Sequence, residues 1–241
     1  MAGRKGLSVA GAVGRGTARL YPPRSVTHPA SRDYPFPVPE IGLFPLALVL
    51  TPTERVPLHI FEPRYTELIR ECIASGEAFG LLLEDQDGRR EVGTLAEVRE
   101  VVHVFADGRM NIVVEGKTRL RVVAWTDGRS YPTAEVEPLE DDDAMSPDAE
   151  TSEQALALFR RLAVIADADV DEPDGSSGSL AFEIAAHVDF GSQPKQELLE
   201  LRSEPDRLRR LTELLEQALA AMTREREIRE RAATNGRVTQ G

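Results

Sequence analysis

The sequence predicts an α+β protein: a small, highly curved β-barrel with one inserted helix, followed by a C-terminal helical bundle. Three observations point there. From Ile41 to Pro138, short apolar and β-branched runs alternate with Gly, Pro and Asp turn signals; one stretch from Pro63 has helical spacing; and beyond an acidic segment the apolar period becomes helical throughout. With 241 residues, 41% of them hydrophobic, the chain is long enough for one domain or two small ones.

Leu43–Leu50 and Val56–Ile60 read as strands separated by a turn at Thr51-Pro-Thr-Glu-Arg55. Pro63 suits a first helical turn, and Tyr65, Leu68, Ile69, Cys72 and Ile73 follow at helical spacing until Gly76 stops the run. Cys72 lies on that apolar face and reads as a packing residue rather than a nucleophile. Phe79–Leu83 is the next strand and Asp85–Gly88 a turn. Val92–Phe105 and Met110–Trp125 are long β-rich stretches joined at Ala106-Asp-Gly108, a hairpin signal. In the second, Ile112, Val114, Leu120 and Val122 share one parity and Arg119 and Arg121 the other. Gly116 interrupts it and marks a bulge or bend. Thr133–Val136 closes the β region.

Glu140 to Glu153 contains seven acids and no base, and reads as a solvated linker. Ala155, Leu158, Phe159, Leu162 and Ile165 then form one helical face. Leu180–Val188 and Gln193–Leu201 are shorter helices, and Ser203-Glu-Pro-Asp206 starts a long one carrying Leu208, Leu211, Leu215, Leu219 and Met222. From Thr223 the sequence is charged all round and is expected to fray. The organisation is thus a disordered basic leader (1–36), a β-barrel subdomain (37–138), an acidic linker (139–152), a helical bundle (153–222) and a charged tail (223–241).

The charge is uneven. The net −12 divides into +5 over residues 1–36, six bases against Asp33, and −17 over the remainder. An acidic body repels phosphate backbones, which disfavours nucleic acid as a partner. No apolar run approaches the roughly 18 residues of a membrane span. A single cysteine excludes an internal disulfide framework and suits a reducing, cytoplasmic compartment. The leader is acid-poor and basic, as transit peptides are, but a plain disordered tail or translation from an upstream start codon is the preferred reading.

Candidate chemistries fail on their own requirements. Gly116-Lys-Thr118 resembles the end of a phosphate loop, yet position 111 is Asn where a glycine is needed, and the intervening residues are β-branched. Lys5, Lys117 and Lys195 are the only lysines, and neither Lys117 nor Lys195 sits near a serine in a glycine-rich turn, so a Ser-Lys dyad has no candidate. His28, His59, His103 and His187 are scattered without metal-ligand spacing. The expectation is no catalytic residue, no metal and no cofactor.

Four segments in order, Ile41–Leu50, Val56–Tyr65, Glu91–Leu95 and Val113–Arg121, resemble the Lon N-terminal (substrate-binding) domain family, and the later helices extend the similarity to Leu219. The resemblance implies a PUA-like β-barrel followed by a helical bundle. It also implies a role in capturing unfolded or tagged polypeptides, in a bacterial, cytoplasmic setting. The sequence has no Walker A loop and no Ser-Lys protease segment, so a stand-alone, non-catalytic recognition domain is expected. Such a domain would act as an adaptor or holdase in protein quality control, with unfolded or specific partner proteins as its ligands. The candidate protein-binding surface is the Pro57–Tyr65 corner, with His59, Phe61, Arg64 and Tyr65, together with Trp125. The plainer reading places Phe61 and Tyr65 in the core, pairs Arg64 with an acid and sets Trp125 at the core's rim. An RNA-binding PUA-like module, using an arginine patch at Arg119, Arg121 and Arg129, and an unrecognised hydrolase are the competing classes.

Overall fold

The computed structural model describes residues 40–142 and 147–235; the leader and the end of the charged tail lie outside the described residues. Six strands and five helices follow in order: β1 (Glu40–Leu46), β2 (Arg55–Ile60), α1 (Pro63–Ser75), β3 (Phe79–Asp85), β4 (Gly88–Val104), β5 (Met110–Thr126), β6 (Thr133–Pro138), α2 (Ala149–Ala166), α3 (Leu180–Ala185), α4 (Ser192–Glu200) and α5 (Glu204–Asn235). The sheet order is β2-β5-β4-β3-β1-β6, with β6 also paired to β5. The pairings of β5, β4, β3, β1 and β6 therefore return to their start, and β2 is an extra strand beside the first half of β5.

Gly116 is where β5 changes partners. Its N–H donates to Glu54 O at 2.9 Å, and a Cβ there would lie 2.2 Å from Thr51 O, so only glycine allows the β1–β2 loop this close. The β4–β5 register shifts beside it, between Thr94 and Ala96, which is the expected irregularity. Beyond it β5 pairs with β6, Leu120 facing Pro138.

The apolar run Leu43–Leu50 is shared among three cores. Leu43 packs with Leu82, Leu95, Leu120 and Val136 inside the circuit of strands. Phe44 and Leu50 join Tyr65, Leu68, Ile69 and Cys72 of α1 over β5's Ile112 and Val114. Val49 enters the helical core of Phe159, Phe182, Leu198, Leu208 and Leu215. Burial of both ends of the run in different cores, with only Ala47 exposed between them, explains why it is continuous rather than alternating.

The acidic segment departs from expectation. α2 begins at Ala149, inside the stretch read as linker, because Asp148 caps it by accepting from Thr151 N at 2.6 Å. Asp141, although partly exposed, is not a free linker acid. It accepts hydrogen bonds from Arg119 of β5 and Arg207 of α5, which are 6% and 1% exposed. Arg119 also donates to Leu199 O at 2.9 Å and Leu201 O at 2.6 Å. Burial on its own would raise the Asp141 carboxyl, but the two guanidiniums hold it below the usual carboxylate range. A second buried pair, Lys195 with Glu54, ties α4 to the β1–β2 loop at 2.5 Å. The sheet and the helices are joined by ionic clasps as well as apolar contact. The α5 helix also runs on to Asn235 where fraying was expected, with pairs such as Arg229–Glu225 supporting its charged surface.

Candidate protein-binding face

β2, β5 and the distal half of β4 form a three-stranded ribbon whose inner side covers α1. Register places His59 opposite Asn111, and Asn111 opposite His103. His59 Nδ1 lies 2.6 Å from Asn111 Oδ1, within hydrogen-bond distance. Phe61, Phe105 and Arg109 continue the same side at the hairpin end. Ring centroids are 6.1 Å apart for His59–Phe61, 5.9 Å for His59–Phe105 and 4.4 Å for His103–Phe105, with the Arg109 guanidinium 5.3 Å from the Phe105 centroid. Phe61 is 62% exposed. Aromatic groups left in water this way mark an interaction surface rather than a core.

The opposite end of the ribbon is charged but internally satisfied. Glu115 meets Arg55 at 2.7 Å, Lys117 at 2.6 Å and Arg99 at 3.6 Å. Burial would raise its pKa, yet hydrogen bonds from Lys117 and Arg55 keep it lowered. At the aromatic end, Glu62 is held by Arg64 at 2.9 Å and Asp107 by Arg109 at 2.8 Å.

Of the residues singled out from sequence, the structure brings His59 and Phe61 together, with Arg64 exposed beside them. Tyr65 is a correction. It is 4% exposed, packs on Phe44 at 4.2 Å and has its phenol pKa raised by burial, because it shares the α1 stripe with Leu68, Ile69 and Cys72. Trp125 is 45% exposed but sits at the other end of β5, under the Arg89 guanidinium at 4.7 Å. The arginine patch also fails: Arg119 is buried, Arg129 pairs with Glu71 at 3.1 Å and Arg121 lies 3.9 Å from Glu137. His103, Phe105, Asn111 and Arg109 were missed from sequence. The three-residue loop Ala106-Asp107-Gly108, closed by the Phe105–Arg109 backbone bond, sets His103 across from Asn111; only the β2 pairing shows that His59 joins them.

A family model, the ATP-dependent protease La (LON) substrate-binding domain, matches residues 40–217. The chain belongs to the Lon substrate-binding domain family. A Lon protease of Syntrophomonas wolfei is 30% identical over 155 residues, 60% of this chain and 18% of that protein. Lon protease 1 of Bacillus subtilis is 21% identical over 220 residues, 83% of this chain and 28% of that protein. The chain thus spans less than a third of these curated relatives. Among solved structures, the Lon N-terminal domain protein from Xanthomonas campestris superposes with a TM-score of 0.55 at 24% identity, covering 72% of this chain and 97% of its own. The N-terminal domain of Mycobacterium avium complex Lon protease gives 0.55 at 18% identity, with 74% and 98% covered. For this Lon substrate-binding domain the matched part is the recognition domain, not the ATPase or protease domains, and the fold supports substrate recognition. Among the described residues no helix is long and apolar enough to cross a membrane.

Proposed function

We propose that this chain recognises polypeptides without catalysis of its own, as an adaptor or holdase in cytoplasmic protein quality control. On this reading the circuit of paired strands is the PUA-like barrel and the helices form its bundle. The observation that carries the proposal is the aromatic and imidazole face of exposed His59, Phe61 and His103 with half-buried Phe105, set on a substrate-binding family fold. Rigid strands hold these groups in water, the state of a surface awaiting an apolar partner.

The test is association of the full chain with a chemically unfolded protein and with the same protein in its native state, read by fluorescence anisotropy, alongside suppression of heat-induced light scattering. Binding to the unfolded form alone, with reduced scattering, is the expected outcome. Salt-sensitive binding to RNA with no binding to unfolded protein would overturn the reading in favour of the nucleic-acid class.

A further inference from the structure

Two ways of holding an extended chain are open to a sheet: pairing with a free strand edge, or packing side chains on an exposed face. Among the described residues no further strand pairs with the outer edge of β2 or with distal β4 beyond Val98, and both edges are blunted. On β2, the Gly116 N–H to Glu54 O bond sets the alternation, so Val56, Leu58 and Ile60 turn their backbone groups to β5 while Arg55, Pro57 and His59 turn theirs outward. Pro57 therefore removes a donor from the middle of that edge. On distal β4, the register slips twice, between Val98 and Glu100 and between Val101 and His103, leaving Arg99 and Val102 as extra residues that break the edge's repeat. The face has no such obstruction. Its acids Glu62, Asp107, Glu97 and Glu115 are each held by a cation, and exposed Glu100, across from Val113, is balanced by the surplus of cations gathered on Glu115, so the face carries little net charge within a chain of −12.

We propose that the His59–Asn111–His103 and Phe61–Arg109–Phe105 rows take the aromatic and aliphatic side chains of an extended polypeptide whose apolar stretch is flanked by lysine or arginine, held by side-chain stacking and not by strand addition. This rests on the polypeptide-binding reading above and names its ligand class. The nearly neutral face accepts the apolar stretch, and the surrounding negative field attracts the basic flanks.

The test uses the full chain and short fluorescent peptides sharing one alternating Phe/Val core: with Lys flanks, with Glu flanks, and with Lys flanks plus proline at the intervening positions. The Lys-flanked peptide is expected to bind, the Glu-flanked one at least about tenfold more weakly, and the proline version within about threefold of its parent because no backbone donor is used. Phe61→Ala with Phe105→Ala should weaken binding by about tenfold or more, while Trp125→Ala leaves it unchanged and melting profiles confirm that all variants are folded. Loss of binding on proline substitution, equal affinity for the two flank types, or full affinity in the double variant would each overturn the inference. Unfolded protein that still binds the double variant at full strength sinks this inference and leaves the function standing; failure of the unaltered chain to bind unfolded protein sinks the function itself.

Discussion

Replacing Arg207 with methionine is expected to destabilise the protein by about 3 kcal/mol, the lower end of the roughly 3–5 kcal/mol range for removing one partner of a buried ion pair. Arg207 is 1% exposed; its Nε donates to Glu204 at 2.9 Å, and its Nη1 to Asp141 at 2.7 Å and to Leu201 O at 2.8 Å. Methionine keeps much of the apolar stem beneath the Phe182 ring, so the loss is of charge and donors rather than of volume. The lower end applies because Asp141 is partly exposed and both acids retain partners: Asp141 keeps Arg119, and Glu204 still accepts from Ser179 Oγ at 2.7 Å and Ala181 N at 2.9 Å. At about 2–4 °C per kcal/mol for a protein of this size, melting should fall by roughly 6–12 °C. Arg207→Lys, which keeps the charge but not the planar fork, should fall between the two. Thermal melting by circular dichroism measures both, and a cycle with Asp141→Asn should show coupling of about 1 kcal/mol or more. A fall of under about 2 °C for Arg207→Met, the scale of a surface ion pair, would refute the claim that this network clasps the sheet to the helices.

Asp141 has a depressed folded pKa, so its contribution is complete above the ordinary aspartate value of about 3.9 and is lost as pH falls through the folded value. Melting temperature should drop in that acid window, and Asp141→Asn should flatten the drop; parallel acid profiles would contradict this. Burial, with Glu77 and Glu71 nearby, pushes the Cys72 thiol up to about 12. Alkylation of the native protein at about pH 8 should be negligible and should rise only with denaturant, whereas rapid native labelling would show that α1 opens. Gly116→Ala places a Cβ 2.2 Å from Thr51 O, a backbone atom that must move. A loss of about 1–3 kcal/mol in urea melts is expected, and an unchanged midpoint would mean that the loop yields freely.

Elements buried on one face were legible because burial leaves a period in the chain. The α1 stripe from Tyr65 to Cys72 was visible, and it already contained the answer to whether Tyr65 could reach a partner. Arg119 was misread because its burial is created by carbonyls of Leu199 and Leu201, eighty positions and more downstream, which no local pattern announces. Asp141 was hidden for the converse reason: within Glu140-Asp-Asp-Asp143 nothing local distinguishes the acid that two arginines select. Half of the candidate face was found at the β2–α1 corner. The other half depended on β2 lying against β5, a pairing between segments some fifty residues apart whose register only the folded chain reveals.

β5 carries both the display and the anchor. Asn111 and the turn residue Arg109 stand at one end of a single unbroken strand, and Arg119 is gripped by the helices further along it. Tension on a captured chain would therefore pass from β2 and β4 through their ladders into β5 and along its covalent backbone to Arg119 and the helical core. The face is mechanically grounded: a client could be held taut here, and the weakest link under load would be the side-chain grip on the client, not the module that supplies it.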